Sequence, residues 1–285
     1  KTAYEIGTGD WSSDVCSSDL NAQKILEDNN IIRKSDMDTV ELMEYQENYP
    51  TLATCCKEVD GLMGGGVKPE ATYEVYGEFG SGKTQFCNSL TVEAIRQDMN
   101  VIWIDCEDTF RPSRIFEILK ARGYVEDKEQ AKSMLSRIKY YYTPNTELLM
   151  GTVNNLSETM LSFKPRLVIV DGAIGQFREE YLGRGTLADR QNQIKRLMTH
   201  LKNITYYFKC TVIFTNQVQS DPSTMFGDPI KPIGGNVVGH ASTHRMYFKK
   251  SGKKRIARMI DSPEYPQADG EYILDAKGIS DLEEE

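Results

Sequence analysis

Residues 72–84, Thr-Tyr-Glu-Val-Tyr-Gly-Glu-Phe-Gly-Ser-Gly-Lys-Thr, decide the fold of this chain. The last eight fit the pattern G-x-x-x-x-G-K-[ST], whose glycines let the backbone close around an anion and point its N–H groups inward. The β-branched and aromatic residues before them predict a strand, and residues 85–97, without Gly or Pro, predict a helix. This order predicts a loop that binds the phosphates of a nucleoside triphosphate.

Two residues of this loop carry defined chemistry. Lys83 is predicted to reach the β- and γ-phosphates, and the Thr84 hydroxyl to ligate Mg²⁺. The helix that begins near Lys83 adds the positive end of its dipole. The alternative is a chance match in an ordinary loop, which the flanking strand and helix disfavour.

Beyond this loop, apolar runs alternate with helical patterns. Runs that end in acids are typical of strands buried on both faces of a parallel sheet, and three short patterns near the end of the chain predict antiparallel strands at the sheet edge. We therefore predict an α/β fold with a mostly parallel central sheet and antiparallel C-terminal strands. The predicted strands are 72–76, 101–107, 140–142, 166–171, 210–217, 245–249, 255–261 and 272–276, and the main helices are 85–97, 111–123, 127–137, 146–163 and 187–208.

Three strand ends are predicted to meet the phosphate loop at one edge of this sheet. Asp171 would order Mg²⁺ through its water shell, and Glu107 would polarise the attacking water as a general base. Gln217 would bond the γ-phosphate or that water and so sense the nucleotide state. The alternative for each strand-end acid is a helix cap or a salt-bridge partner.

Two loops beyond this edge have unusual content. Residues 177–185 join an aromatic and arginines to glycine hinges, and residues 219–235 form a long stretch with three prolines. The chain has a net charge of −8, yet residues 178–258 hold 15 Lys/Arg against 5 Asp/Glu. This basic segment favours a nucleic-acid partner; a surface lid or a solvated basic face is the alternative.

Composition excludes other classes of protein. No apolar run approaches the roughly 18 residues of a membrane span, and the N-terminal residues lack the apolar h-region of a signal peptide. The six cysteines form no C-x-x-C pair, so we expect reduced thiols in a cytoplasmic protein. We predict three segments, namely a truncated N-terminal segment (1–36), a linker (37–50) and the nucleotide-binding core (51–285). Within the first segment, residues 10–20 resemble a translated sequencing adapter and are predicted to be an artefact; a genuine Ser/Asp-rich loop is the alternative.

The motifs resemble those of the archaeal RadA and eukaryotic strand-exchange recombinases, a branch of the RecA-like ATPases. The resemblance covers roughly residues 37–282. The segments that carry it are 77–85, 103–112, 177–191, 215–218, 227–240, 261–263 and 277–279.

The resemblance implies a DNA-dependent ATPase whose protomers form a helical filament or ring, with ATP and Mg²⁺ between neighbours. Such proteins bind single-stranded DNA and pair it with a homologous duplex, which implies a cytoplasmic, nucleoid-associated role in recombination and repair. The implied catalytic residues are Glu107, Lys83 and Gln217, and the implied Mg²⁺ site is Thr84 with Asp171. The implied ATP-binding residues are Gly77, Glu78, Phe79, Gly80, Ser81, Gly82, Lys83, Thr84, Gln85 and Arg114, with Asp228 and Pro232 of the adjacent subunit.

The resemblance also assigns DNA and protomer contacts. Arg178, Tyr181 and Arg184 would bind DNA from the first loop, and Phe226, Gly234 and Gly235 from the second. Met37 and Val40 would plug the next protomer and give the linker a polymerisation motif. Met37 stands where the family has an aromatic residue, Asp108 where it has a glycine, and the family's helix-hairpin-helix domain is expected to be missing or truncated.

Three functions are compatible with these motifs. The first is DNA strand exchange driven by ATP. The second is a RadB-like paralogue that binds ATP and assists a partner filament without exchanging strands. The third, an unrelated RecA-like kinase or clock-type ATPase, leaves the basic loops unexplained.

Overall fold

The computed structural model describes residues 37–48, 50–181, 183–220 and 230–282, which form two units divided after Asn48. In the first unit, the described residues form helix α1 (Thr39–Glu47). Asp38 caps it, because its carboxylate accepts the N–H groups of Val40 and Glu41 while Glu41 accepts the N–H of Asp38. The capping box fixes where this helix begins.

A nine-stranded sheet forms the second unit, in the order β11-β10-β9-β8-β1-β5-β4-β2-β3. β1 pairs in parallel with both β5 and β8, so the strand that leads into the phosphate loop lies inside the sheet. The strands are β1 (Thr72–Gly77), β2 (Asn100–Asp105), β3 (Ile138–Tyr142), β4 (Pro165–Asp171), β5 (Thr211–Asn216), β6 (Val218–Ser220), β7 (Ile230–Pro232), β8 (His244–Ser251), β9 (Lys254–Asp261), β10 (Asp269–Asp275) and β11 (Gly278–Ser280).

Helices cover both faces of this sheet. Neighbouring residues of β2 show the two cores, because Val101 and Trp103 pack on one side and Ile102 and Ile104 on the other. This confirms that the apolar run belongs to a strand buried on both faces. The helices are α2 (Lys57–Gly61), α3 (Lys83–Arg96), α4 (Pro112–Ala121), α5 (Lys128–Leu135), α6 (Thr146–Asn154), α7 (Leu156–Phe163), α8 (Gly175–Glu180), α9 (Leu187–Phe208) and α10 (Gly235–Ala241).

The α/β fold predicted from the sequence is confirmed, with two corrections. Residues 146–163 are two helices rather than one, because Asn155 leaves helical geometry and its side-chain amide donates to the Gly151 carbonyl. The strand expected at 245–249 is parallel to β1 rather than antiparallel, because α10 carries the chain across the sheet before β8 begins. Strands β9 and β10 are antiparallel as predicted. Strand β11, which the sequence did not predict, pairs in antiparallel with β10.

Three further elements lie where the sequence predicted loops. The first basic loop begins as helix α8, and the second leaves the sheet through β6 and returns through β7, which pair in antiparallel. The five described cysteines are free, as expected. Among the described residues, no helix is both long and apolar enough to cross a membrane. The first segment and the proposed artefact at 10–20 lie outside the described residues.

Candidate functional site

The phosphate loop joins β1 to α3 and turns sharply at Gly82. Gly82 has φ 110°, and a Cβ at this position would lie 2.9 Å from the Tyr272 hydroxyl. Tyr272 of β10 fills that space and donates to the Ser81 carbonyl at 2.6 Å. A glycine is therefore required here for both the left-handed backbone and the close approach of β10.

Lys83 and Phe79 point in different directions from this loop. The Lys83 ammonium donates to the carbonyls of Gly77 at 2.9 Å and Glu78 at 3.0 Å, inside the curve of the loop. Burial lowers the pKa of Lys83, opposed by the charges of Glu107 and Asp171. Phe79 is 94% exposed at the loop tip. The loop thus directs its cation inward and its largest apolar side chain to solvent.

Asp171 ends β4, is buried, and accepts hydrogen bonds from three threonine hydroxyls. It accepts from Thr84 at 2.9 Å and from Thr215 at 2.6 Å, and Thr109 donates to it at 3.3 Å. Burial raises the pKa of Asp171, whereas the Thr215 hydroxyl bond opposes this shift. The contact between the predicted Mg²⁺ ligands Thr84 and Asp171 joins the start of α3 to the end of β4.

The residues present fit a nucleoside triphosphate with Mg²⁺. A glycine-rich turn, a half-buried ammonium and a hydroxyl beside a carboxylate supply the N–H donors, positive charge and hard oxygen atoms that phosphates and Mg²⁺ require. Within the described ranges, no group of three or more His, Cys, Asp or Glu side chains could hold a metal ion by itself. When bound, Mg²⁺ would neutralise phosphate charge, with phosphate and water oxygens completing its coordination.

Glu107 and Gln217 meet on the rim of this site. The Gln217 side-chain amide donates to the Glu107 carboxylate at 3.0 Å. Gly172 leaves room for Glu107, because a Cβ there would lie 2.5 Å from Glu107 Cγ. An ionised carboxylate held at this rim can accept a proton from water, and the amide orients it. The structure therefore brings together Lys83, Thr84, Asp171, Glu107 and Gln217.

Asp105 positions this rim, and sequence reasoning missed it. Its buried carboxylate accepts the N–H groups of Glu107 at 3.1 Å, Thr109 at 3.2 Å and Phe110 at 2.9 Å. Asp108, in the middle of this turn, has φ 52°, the left-handed conformation that glycine adopts most easily. The sequence does carry a signal for this role, since Asp105 is an acid within the apolar run 101–106. The pattern alone indicates only that a strand ends there.

Arg114 lies beside the phosphate loop on α4. Its guanidinium donates to the Gln85 side chain at 2.9 Å and to the backbone carbonyls of Asp275 at 2.6 Å and Ala276 at 3.3 Å. It therefore ties α3 to the turn between β10 and β11. The predicted contact of Arg114 with adenine stays a prediction.

The first basic loop begins on α8, which directly follows the Asp171 strand. Arg178 is exposed on α8, and Tyr181 lies at its end and stacks on the buried Phe177 with ring centroids 6.5 Å apart. Arg184 lies in a short 3₁₀ turn, and its side chain is outside the described residues. The loop thus starts from the same sheet edge as the phosphate site, and its DNA role stays a prediction.

The second loop is anchored at both ends. The N–H of Ile233 donates to the Gln217 carbonyl at 3.0 Å, and the Asn216 amide donates to the Ile233 carbonyl at 2.7 Å and to buried Glu74 at 2.8 Å. Gly234 and Gly235 follow at the start of α10, and Pro232 ends β7. The predicted residues Phe226 and Asp228 lie outside the described residues.

The predicted protomer contacts lie in the first unit. Met37 precedes α1 and Val40 lies in its first turn, where Val40 is 60% exposed. None of the residues of α1 is buried. The helix thus presents apolar side chains to solvent, and their role in assembly stays a prediction.

Comparison with known proteins identifies the family that this chain resembles. Over residues 46–282 the chain matches the family model described as Rad51. It is 39% identical over 281 residues to the DNA repair and recombination protein RadA of Cenarchaeum symbiosum (strain A), covering 96% of this chain and 69% of that protein. It is 38% identical over 253 residues to the protein of the same name from Methanoculleus marisnigri, covering 84% and 78%.

Proposed function

Because this chain belongs to the Rad51 family, we propose that it is an ATP-dependent strand-exchange recombinase that assembles on single-stranded DNA. The family resemblance predicted from the motifs is confirmed, and the relatives bear the name of DNA repair and recombination proteins. The proposed process is homologous recombination, including repair of double-strand breaks. The proposed location is the cytoplasm, in association with the nucleoid.

One contact carries the link between DNA and ATP in this proposal. Gln217, at the base of the second loop, donates to Glu107, which stands beside the Thr84–Asp171 pair. A movement of that loop therefore moves a hydrogen-bond partner of the proposed general base. This supports a DNA-dependent ATPase in which Glu107 activates water, Lys83 binds phosphate and Gln217 senses the nucleotide.

We propose that a neighbouring protomer completes the site. Asp228 and Pro232 of that neighbour would close over ATP, with Arg114 near the base. Exposed Met37 and Val40 would join protomers into a filament or ring through the linker 37–50, and the core would comprise residues 51–285. DNA would contact Arg178, Tyr181, Arg184, Phe226, Gly234 and Gly235.

The test is ATP hydrolysis with and without single-stranded DNA, together with joint-molecule formation from homologous duplex. We expect DNA to stimulate hydrolysis and joint molecules to form. Lys83→Ala should abolish hydrolysis because it removes the phosphate-binding ammonium, and persistent hydrolysis in that variant would place the active site elsewhere.

The same assay separates the alternative proposals. ATP binding without joint molecules, together with enhanced assembly of a partner recombinase, would indicate a RadB-like mediator. Hydrolysis that ignores DNA and yields no joint molecules would contradict strand exchange by this chain. A DNA affinity that is independent of salt would remove the basic loops from the interface.

A further inference from the structure

Gln176 connects the first basic loop to the proposed general base. It lies on α8, two residues before Arg178, and is only 8% exposed. Its side-chain amide donates to the backbone carbonyls of Cys106 at 3.1 Å and Thr143 at 2.5 Å. The Cys106 carbonyl belongs to the peptide bond that leads into Glu107, so α8 is bonded to the residue immediately before the proposed base.

The two bonds fix the orientation of this amide. Both partners are carbonyl oxygens, so the NH₂ group must face them and the amide oxygen must point away. That oxygen is buried, and no hydrogen-bond donor among the described residues reaches it. Burying an acceptor without a hydrogen bond costs stability. The two hydrogen bonds that the NH₂ group donates offset this cost.

The other end of α8 is anchored to the same segment of chain. The Glu180 carboxylate accepts the N–H of Thr146 at 2.8 Å and also accepts the Thr146 hydroxyl. Gln176 and Glu180 thus hold the two ends of one helix against residues 143–146. A displacement of α8 would be transmitted through these anchors to the Cys106–Glu107 peptide.

We propose that Gln176 is a positioning residue that transmits DNA binding by the first loop to Glu107. This inference rests on the proposed DNA-dependent ATPase and adds a second connection to the one through Gln217. Gln217, at the base of the second loop, contacts the Glu107 carboxylate from the solvent side, and Gln176, at the start of the first loop, holds the preceding Cys106 carbonyl from the buried side. Both loops converge on one residue, so hydrolysis responds to the state of each.

The test compares DNA-stimulated with DNA-free hydrolysis in Gln176→Met. Methionine has similar length but no N–H donors, so the two bonds are lost while the site stays filled. We expect the stimulation ratio to fall about two- to thirtyfold, the range of couplings between linked sites, with KM for ATP and single-stranded DNA affinity retained. Gln176→His keeps one N–H donor and should give an intermediate ratio, and it is the variant to use if methionine prevents folding.

Glu179→Gln is the matched control, because Glu179 is exposed on α8 and takes part in neither anchor. It should leave the stimulation ratio unchanged. If Gln176→Met lowers the DNA-free and DNA-stimulated rates by the same factor, or raises KM alone, Gln176 is merely structural and the inference fails. If the unaltered protein shows no stimulation by DNA, the proposed function fails and the inference with it. If stimulation is normal in both proteins, only the inference fails.

Discussion

Asp105 illustrates how one buried carboxylate arranges a site that it never enters. Its two oxygens accept three backbone N–H groups from the turn that presents Glu107. The sequence predicted Glu107 because an acid that follows an apolar strand is visible in the pattern. It did not predict the role of Asp105, because the fold of the following turn decides which amides point back at that carboxylate.

Asp105→Asn should destabilise the protein and slow hydrolysis. An amide replaces one accepting oxygen with a donor, which leaves a buried N–H of the turn unpaired at a cost of about 1–3 kcal/mol. Urea unfolding measures the stability, and ATP turnover measures the effect on Glu107. The control is Asp98→Asn, since this side chain is 83% exposed and the change should stay within about 0.5 kcal/mol. Equal stability of both variants would contradict the role of Asp105.

His244 makes stability depend on pH. It stacks on Tyr73 with ring centroids 4.5 Å apart, and its Nδ1 lies 3.0 Å from the Ser262 hydroxyl. Burial lowers the pKa of His244 below 6.5, opposed by the charge of Glu264. The unfolded chain therefore takes up this proton at a higher pH than the folded chain, and the contribution of His244 to stability falls as the pH drops below 6.5.

His244→Phe should flatten this dependence while keeping the stacked ring. We expect the slope of the free energy of unfolding below pH 6.5 to fall by up to about 1.4 kcal/mol per pH unit, the contribution of one proton. Urea unfolding from pH 7 to pH 5 measures it. His240→Gln is the control because His240 is exposed, and an unchanged slope in His244→Phe would assign the dependence to other groups.

The hairpin of β10 and β11 backs the phosphate loop and the helix that follows it. Tyr272 donates to Ser81, Arg114 donates to the turn at 275–276, and the N–H of Ile279 donates to the Ser89 hydroxyl at 3.1 Å. The sequence predicted the strand at 272–276 from a short apolar pattern between turn residues. The partner of that strand was not predictable, because a period of two residues reports the faces of a strand and not the elements they meet.

Tyr272→Phe should weaken nucleotide binding. Burial raises the pKa of Tyr272, so its hydroxyl stays protonated and donates to the loop. Losing one such hydrogen bond costs about 0.5–1.5 kcal/mol. If the bond stabilises only the loop conformation that binds nucleotide, the affinity for ATP falls about two- to tenfold. Titration with a fluorescent ATP analogue measures it. Tyr206→Phe on α9 is the control because Tyr206 is exposed, and equal affinities would remove Tyr272 from the nucleotide site.

Sequence patterns predicted the elements around the site better than their connections. Buried strands such as β4 and β5 were recognisable because continuous apolar runs need two covered faces. The direction of β8 and the break at Asn155 were not, since both depend on tertiary contacts rather than on local periodicity. Helix α8 was not predicted, because its glycine, arginine and glutamates are equally typical of a loop.

At the scale of the whole molecule, the apolar side chains proposed to join protomers are exposed on the short helix α1. Val40 is 60% exposed and Met43 is 53% exposed on α1. Val40→Asp should convert oligomers into monomers, because a charge at a buried contact costs several kcal/mol. Light scattering after size-exclusion chromatography measures the mass, and hydrolysis should fall with it if neighbours complete the site.

Gln46→Asp provides the control for charge. It adds the same negative charge to α1 at an exposed polar position, so the oligomers should persist. If Val40→Asp leaves the mass unchanged, assembly uses another surface. If both variants dissociate, net charge rather than the apolar contact governs assembly.

The position of Tyr272 also governs the order in which the molecule is built during synthesis. The phosphate loop is complete in the nascent chain once Thr84 has been added, yet Tyr272 follows Ser81 by 191 residues. The strand that pairs with β1 is also translated late, because Glu74 of β1 accepts a hydrogen bond from Asn216 of β5, 142 residues further along the chain. Contacts of such separation form slowly, since closing long loops costs entropy before any contact repays it. The phosphate loop therefore becomes fully ordered for nucleotide binding only near the end of folding, long after the ribosome has translated the motif.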